Sequence, residues 1–86
     1  MKVGVAGSLE SNDVVMTVSP SDKLEIEIES IVKEFFGDRI LEVIRETLKE
    51  KKISNVKVKC SDKGALDYTI KSRLITAIER MEAQDA

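Results

Sequence analysis

The 86-residue chain has no histidine and no tryptophan, one cysteine, one proline, and aromatic residues only at Phe35, Phe36 and Tyr68. Each scarcity removes a class of chemistry. Without histidine the usual general base at neutral pH is missing, and a Ser-His-Asp triad cannot be built. A lone thiol, Cys60, excludes an internal disulfide and all but excludes a zinc site of Cys and His ligands. So few aromatics make poor stacking platforms for bases, and a net charge of −2, from 14 basic and 16 acidic residues, leaves no basic footprint for nucleic acid. No apolar run approaches the roughly 18 residues of a membrane span. No charged-then-apolar leader opens the chain. These absences together lead to the expectation of a cytoplasmic protein with no metal, no nucleic-acid partner and no membrane partner.

What remains is a soluble globular composition, 42% apolar and 35% charged, which suits one domain over residues 1–86 with one modest core. The stretch Val5 to Asp13, VAGSLESND, stands between two short apolar runs, Val3–Val5 and Val14–Val18. Its glycines, serines, Asn12 and Asp13 serve tight turns, because these residues tolerate unusual φ/ψ or bond their own backbone. A strand therefore runs out into an exposed polar loop that presents the hydroxyl of Ser8 or Ser11 and then turns back. By composition alone this is an ordinary hairpin loop.

Around it, periodicity sets the elements. Met1–Ser8 and Val14–Ser19 read as strands, the second ended by Pro20, which supplies no ladder N–H, in a turn Ser19–Asp22. Leu24–Ser30 alternates Leu24, Ile26 and Ile28 with Glu25, Glu27 and Glu29, as expected of an antiparallel strand with one face in solvent. Ile31–Phe36 fits either an extension of that strand or a helical turn, and Gly37-Asp38 breaks the pattern, with Asp38 placed to cap a helix over residues 39–52. In that helix Ile40, Val43, Ile44, Thr47 and Leu48 recur at helical spacing. Asn55–Cys60 alternates again, with Cys60 on the buried side. Asp62 then reads as the cap of a helix over 65–81, whose stripe is Leu66, Ile70, Leu74, Ala77, Ile78 and Met81. Residues 82–86 read as a fraying polar tail. The order β-β-β-α-β-α predicts a two-layer α+β domain, a mostly antiparallel sheet with two helices on one face.

Three patches carry a resemblance. VAGSLESND keeps Ala6, Gly7, Leu9, Glu10, Ser11 and Asp13 of the pattern Ala-Gly-Thr-Leu-Glu-Ser-x-Asp found near the N-terminus of the acyl carrier subunit (gamma chain) of citrate lyase, with Ser8 where threonine is usual. Phe36-Gly37-Asp38 and Asp62–Asp67, DKGALD, match in the family's order, so the resemblance spans nearly the whole chain. It implies a non-catalytic carrier subunit. Its cofactor would be 2'-(5''-phosphoribosyl)-3'-dephospho-coenzyme A, bound through a phosphodiester to the serine of Leu-Glu-Ser, here Ser11. The arm would carry acetyl and citryl thioesters for an alpha (acyl transferase) subunit and a beta (citryl lyase) subunit, which together cleave citrate to acetate and oxaloacetate. A prosthetic-group transferase would load the arm and a ligase would acetylate it. Two other readings stay open: the carrier subunit of malonate decarboxylase, and a small interaction or regulatory module without a cofactor.

Overall fold

The computed structural model describes residues 2–84. Its elements are β1 (Gly4–Gly7), β2 (Val14–Pro20), β3 (Glu25–Ser30), α1 (Lys33–Glu50), β4 (Val56–Asp62) and α2 (Asp67–Ala83), in the order the periodicities predict. Met1, the start of the expected first strand, and Asp85 and Ala86, the end of the expected tail, lie outside the described residues.

The strands form a four-stranded sheet in the order β1-β2-β4-β3. β1 and β2 pair antiparallel, as do β2 and β4, whereas β3 runs parallel to β4. The antiparallel expectation for the Glu-rich strand is thus corrected. The reason lies in α1, which separates the two strands and carries the chain back along the sheet, so that β4 starts at the end where β3 began. The glutamates lie as expected on the face that no helix covers, with Glu27 and Glu29 exposed.

Register places the inward side chains in rows. Ala6, Met16, Cys60 and Ile28 stand side by side, as do Gly4, Val18, Val58 and Ile26. Both helices press on this face. Ile40, Val43, Ile44, Thr47 and Leu48 of α1 and Ile70, Leu74, Ala77, Ile78 and Met81 of α2 are buried against it. The buried hydroxyl of Thr47 donates to the Val43 carbonyl one turn back at 2.8 Å, so this buried donor is not stranded. Gly4 lets β1 approach α2 closely, since a Cβ there would lie 1.8 Å from the Ala77 carbonyl oxygen. The end of α2 then closes the edge of the sheet: Arg80 Nη1 donates to the Val5 carbonyl at 2.7 Å and Gln84 Nε2 to the Val3 carbonyl at 2.6 Å. Residues 82–84 are tied down by this contact rather than frayed.

Two helix starts differ from the sequence reading. α1 begins at Lys33 and runs through Gly37 and Asp38, so Asp38 caps nothing and lies exposed inside the helix. A glycine in a helix costs only about 1 kcal/mol, which the packing of an 18-residue helix overrides. α2 begins at Asp67, with Leu66 at its N-cap. Asp62 lies further upstream, and Leu66, expected in the buried stripe, is 59% exposed.

Candidate functional site

The loop between β1 and β2 is built by backbone constraint first. Gly7 has φ 104°, and a Cβ on it would lie 1.7 Å from the Val14 carbonyl oxygen, so only glycine fits. Asn12 has φ 65°, a left-handed conformation that asparagine tolerates. Side chains then lock the turn. Ser8 Oγ donates to Asp13 Oδ2 at 2.7 Å and accepts the Glu10 N–H at 3.3 Å. Asp13 Oδ1 accepts its neighbour's Val14 N–H at 2.7 Å. Arg73 of α2 donates to both carboxylate oxygens of Asp13, each at 3.1 Å. These donors, Arg73 foremost and then Ser8 and the Val14 amide, hold the Asp13 carboxyl down to about 2.

The loop also docks on the DKGALD segment. Asn12 N–H donates to the Lys63 carbonyl at 2.8 Å, and Lys63 N–H donates to the Asp13 carbonyl at 2.9 Å. That segment is itself organised by Asp62, which is 2% exposed. Its carboxylate accepts the Ser30 hydroxyl at 2.7 Å, the Gly64 N–H at 3.1 Å and the Ala65 N–H at 2.9 Å. Asp62 is therefore the anchor of a loop that leads into α2 rather than the cap of that helix. Two of the three matched patches are thus one assembly, and the third, Phe36–Asp38, lies across a groove from DKGALD.

Against this framework Ser8 and Ser11 differ. The Ser8 hydroxyl is committed in both directions. Ser11 is exposed, and its hydroxyl makes no hydrogen bond with any described residue. Of the two acidic residues beside it, only Glu10 is an exposed carboxylate, because Asp13 turns inward to Arg73. Cys60 is buried, and burial, with the Asp62 charge as a smaller cause, pushes its thiol up to about 12, so it is not a nucleophile. No group of three or more Cys, Asp or Glu residues that could hold a metal forms among the described residues. No helix among them is long and apolar enough to cross a membrane.

The partner of Asp13 was not legible in the sequence. Arg73 is 60 residues away and looks like any surface arginine on an amphipathic helix. The groove beside DKGALD was missed as well. It encloses about 520 Å³ between the starts of α1 and α2. The signal that could have found it is the placement of Phe36 and Tyr68 outside the apolar stripes; both line the groove and are more than half exposed.

Known sequences bear on the family. A citrate lyase acyl carrier protein of Streptococcus uberis is 49% identical over 86 residues, covering 99% of this chain and 85% of its own. The chain belongs to the citrate lyase acyl carrier protein family. Members from Lactobacillus acidophilus and Oenococcus oeni are 49% and 45% identical, covering 94% and 98% of this chain and 86% and 88% of their own. The broader family profile described as an acyl carrier "Malonate decarboxylase delta subunit (MdcD)" matches residues 1–81. A solved structure from Thermus thermophilus shares the fold, with TM-score 0.57 and 16% identity over 96% of this chain, which spans 16% of that longer chain.

Proposed function

We propose that this chain is the acyl carrier subunit of a citrate lyase, and that Ser11 bears its prosthetic arm. The observation that supports this most is the contrast between the two loop hydroxyls: Ser8 is bonded to Asp13 and Glu10, whereas Ser11 is exposed with its hydroxyl unengaged by any described residue. The residues present fit an attached arm, since nothing described blocks that oxygen and the loop beneath it is rigidly held. The arm would be 2'-(5''-phosphoribosyl)-3'-dephospho-coenzyme A, joined through a phosphodiester. Its terminal thiol supplies the thioester on which acetyl and citryl groups travel. The chain itself positions the attachment point and holds it still; with no histidine it lacks the means to activate its own serine.

The partners of this reading are an alpha subunit that transfers the acyl group and a beta subunit that cleaves the citryl group, in the cytoplasm. A dedicated transferase would load the arm and a ligase acetylate it. Tethering raises the local concentration of the acyl group at each partner's site. The family profile named for malonate decarboxylase supports a second reading, in which the same loop and arm serve a decarboxylase complex. Relatives 44–49% identical over nearly the whole chain favour citrate lyase.

The test is intact-mass and peptide-mapping analysis of the protein isolated from its native host with the subunits that co-purify. We expect one large adduct on the peptide containing Ser11, none in Ser11→Ala, and partners with citrate-cleaving activity. An unmodified chain, or an adduct retained in Ser11→Ala, would reject the assignment; decarboxylase partners would select the second reading.

A further inference from the structure

Beside the loop lies a groove between the starts of α1 and α2. It encloses about 520 Å³, within the range of small-molecule sites. Its walls are apolar, formed by Phe36, Ile40, Ala65, Leu66, Tyr68 and Ile70. Phe36, Leu66 and Tyr68 are 56%, 59% and 72% exposed.

Local rules are broken along the same groove. Both helices that flank it start on an aliphatic N-cap, Val32 for α1 and Leu66 for α2, and neither has a side-chain cap. Ser, Thr, Asp or Asn at such positions stabilises a helix by about 1 kcal/mol over an aliphatic residue. Val32 and Leu66 both line the groove. The backbone N–H groups of Asp67 and Tyr68, two further groove residues, donate to no acceptor among the described residues. The result is an apolar trough with two first-turn amide donors of α2, open as at any uncapped helix start, at one end.

Electrostatics narrows the ligand. The guanidinium of Arg39 at the rim is already engaged: Nε and Nη2 donate to Asp67 Oδ2 at 2.8 and 2.6 Å, and Nη1 lies 3.2 Å from Glu42. Asp62 is buried and already accepts three donors. The groove therefore offers no spare charge to a phosphate. It suits an uncharged, flexible chain of methylenes and amides whose carbonyl oxygens can accept the free N–H groups.

Such a chain starts next door. Asn12, adjacent to Ser11, is hydrogen-bonded to Lys63, and Gly64 beside it lines the groove. A Cβ on Gly64 would lie 3.4 Å from Asn12 Oδ1 and 3.9 Å from Ile31 Cδ1, so the loop side chain next to Ser11 stands directly against the rim of the groove. Resting on the carrier reading above, we propose that this groove receives the uncharged, thiol-bearing pantetheine end of the chain's own Ser11-linked arm, and shelters its thiol or thioester from water between visits to partner subunits.

The test uses the full chain loaded with its arm. Cys60 is buried and its thiol pushed up to about 12, so in the folded protein a thiol reagent reports the arm alone. Tyr68 is the one tyrosine and there is no tryptophan, so near-ultraviolet emission reports the groove. We expect the arm thiol to react about tenfold more slowly than free pantetheine, equivalent to about 1.4 kcal/mol of sheltering, and Tyr68 emission to change between unloaded and loaded forms. Leu66→Ser gives the helix a better N-cap and so keeps the fold; it should return the thiol rate most of the way to that of pantetheine. An arm mapped to Ser11 with unhindered thiol reactivity and unchanged Tyr68 emission overturns this proposal alone. A Tyr68 response that appears only when partner subunits are added also overturns it, and makes the groove a protein-docking surface. An arm mapped to any other residue overturns both this proposal and the Ser11 assignment.

Discussion

Arg73 holds Asp13 by both carboxylate oxygens at 3.1 Å, clamping the end of the loop onto α2 across 60 residues of sequence. The clamp has a pH signature. Asp13 titrates at about 2 in the folded chain against an ordinary 3.8, chiefly through the Arg73 hydrogen bonds. A depressed carboxyl stabilises the fold fully above its ordinary value, and that contribution is lost as pH falls from 3.8 toward about 2. In Arg73→Ala the Asp13 carboxyl should move up toward 3.8 by NMR titration, and acid unfolding should lose part of its slope in that window. An Asp13 titration unmoved by the substitution would show that the arginine is not the cause.

The two loop serines should separate cleanly. Ser8→Ala removes a donor to Asp13 and an acceptor for Glu10, and should cost about 1 kcal/mol in denaturant unfolding while retaining arm loading. Ser11→Ala should change stability by less than about 0.5 kcal/mol and abolish loading. Intact mass and chemical denaturation on the two variants give both readouts. The reverse pattern would exchange their roles.

Gly7→Ala should be among the costlier single-methyl additions in this chain. A side chain is strained at φ 104°, and the new carbon meets the Val14 carbonyl oxygen at 1.7 Å. We expect a loss of more than about 2 kcal/mol, and amide exchange accelerated first at Val14 and Val15. A variant as stable as the parent would mean that the β1–β2 turn can be rebuilt without its left-handed glycine.

Asp62→Ala should act at a distance. It strands the Ser30 hydroxyl and the Gly64 and Ala65 amides, at a cost of about 2–3 kcal/mol. Because Lys63 bonds the loop in both directions, the Asn12 and Lys63 amides should exchange faster with solvent. Unchanged protection at Asn12 would show that the two segments are held independently.

Much of the fold could be read from the sequence because its signals are local. The alternation at residues 24–30 and 55–60 marked β3 and β4, and the 3.6-residue stripes marked the helix cores. What escaped was set by tertiary context. The parallel pairing of β3 with β4 follows from where α1 delivers the chain, and alternation carries no direction. Gly37 suggested a break, but a buried helix face outweighs one glycine. At the site, the matched motif pointed to Ser11, yet what sets it apart from Ser8 is hydrogen bonding with Asp13 and Glu10, which only the folded turn reveals. Asp62 looked like a cap because caps and loop anchors use the same chemistry, a carboxylate accepting nearby amides.

The strand order has a consequence for biosynthesis. β4 lies between β2 and β3, so the first thirty residues cannot close a sheet among themselves. On the ribosome β1 and β2 can meet early as an isolated hairpin, which is marginal in water, while β3 has no neighbour until residues 56–62 emerge. The loop bearing Ser11 gains its floor from Lys63 and its clamp from Arg73 later still. A modifying enzyme that requires the finished turn would therefore find no substrate on a nascent chain, and attachment of the arm would follow completion of the fold.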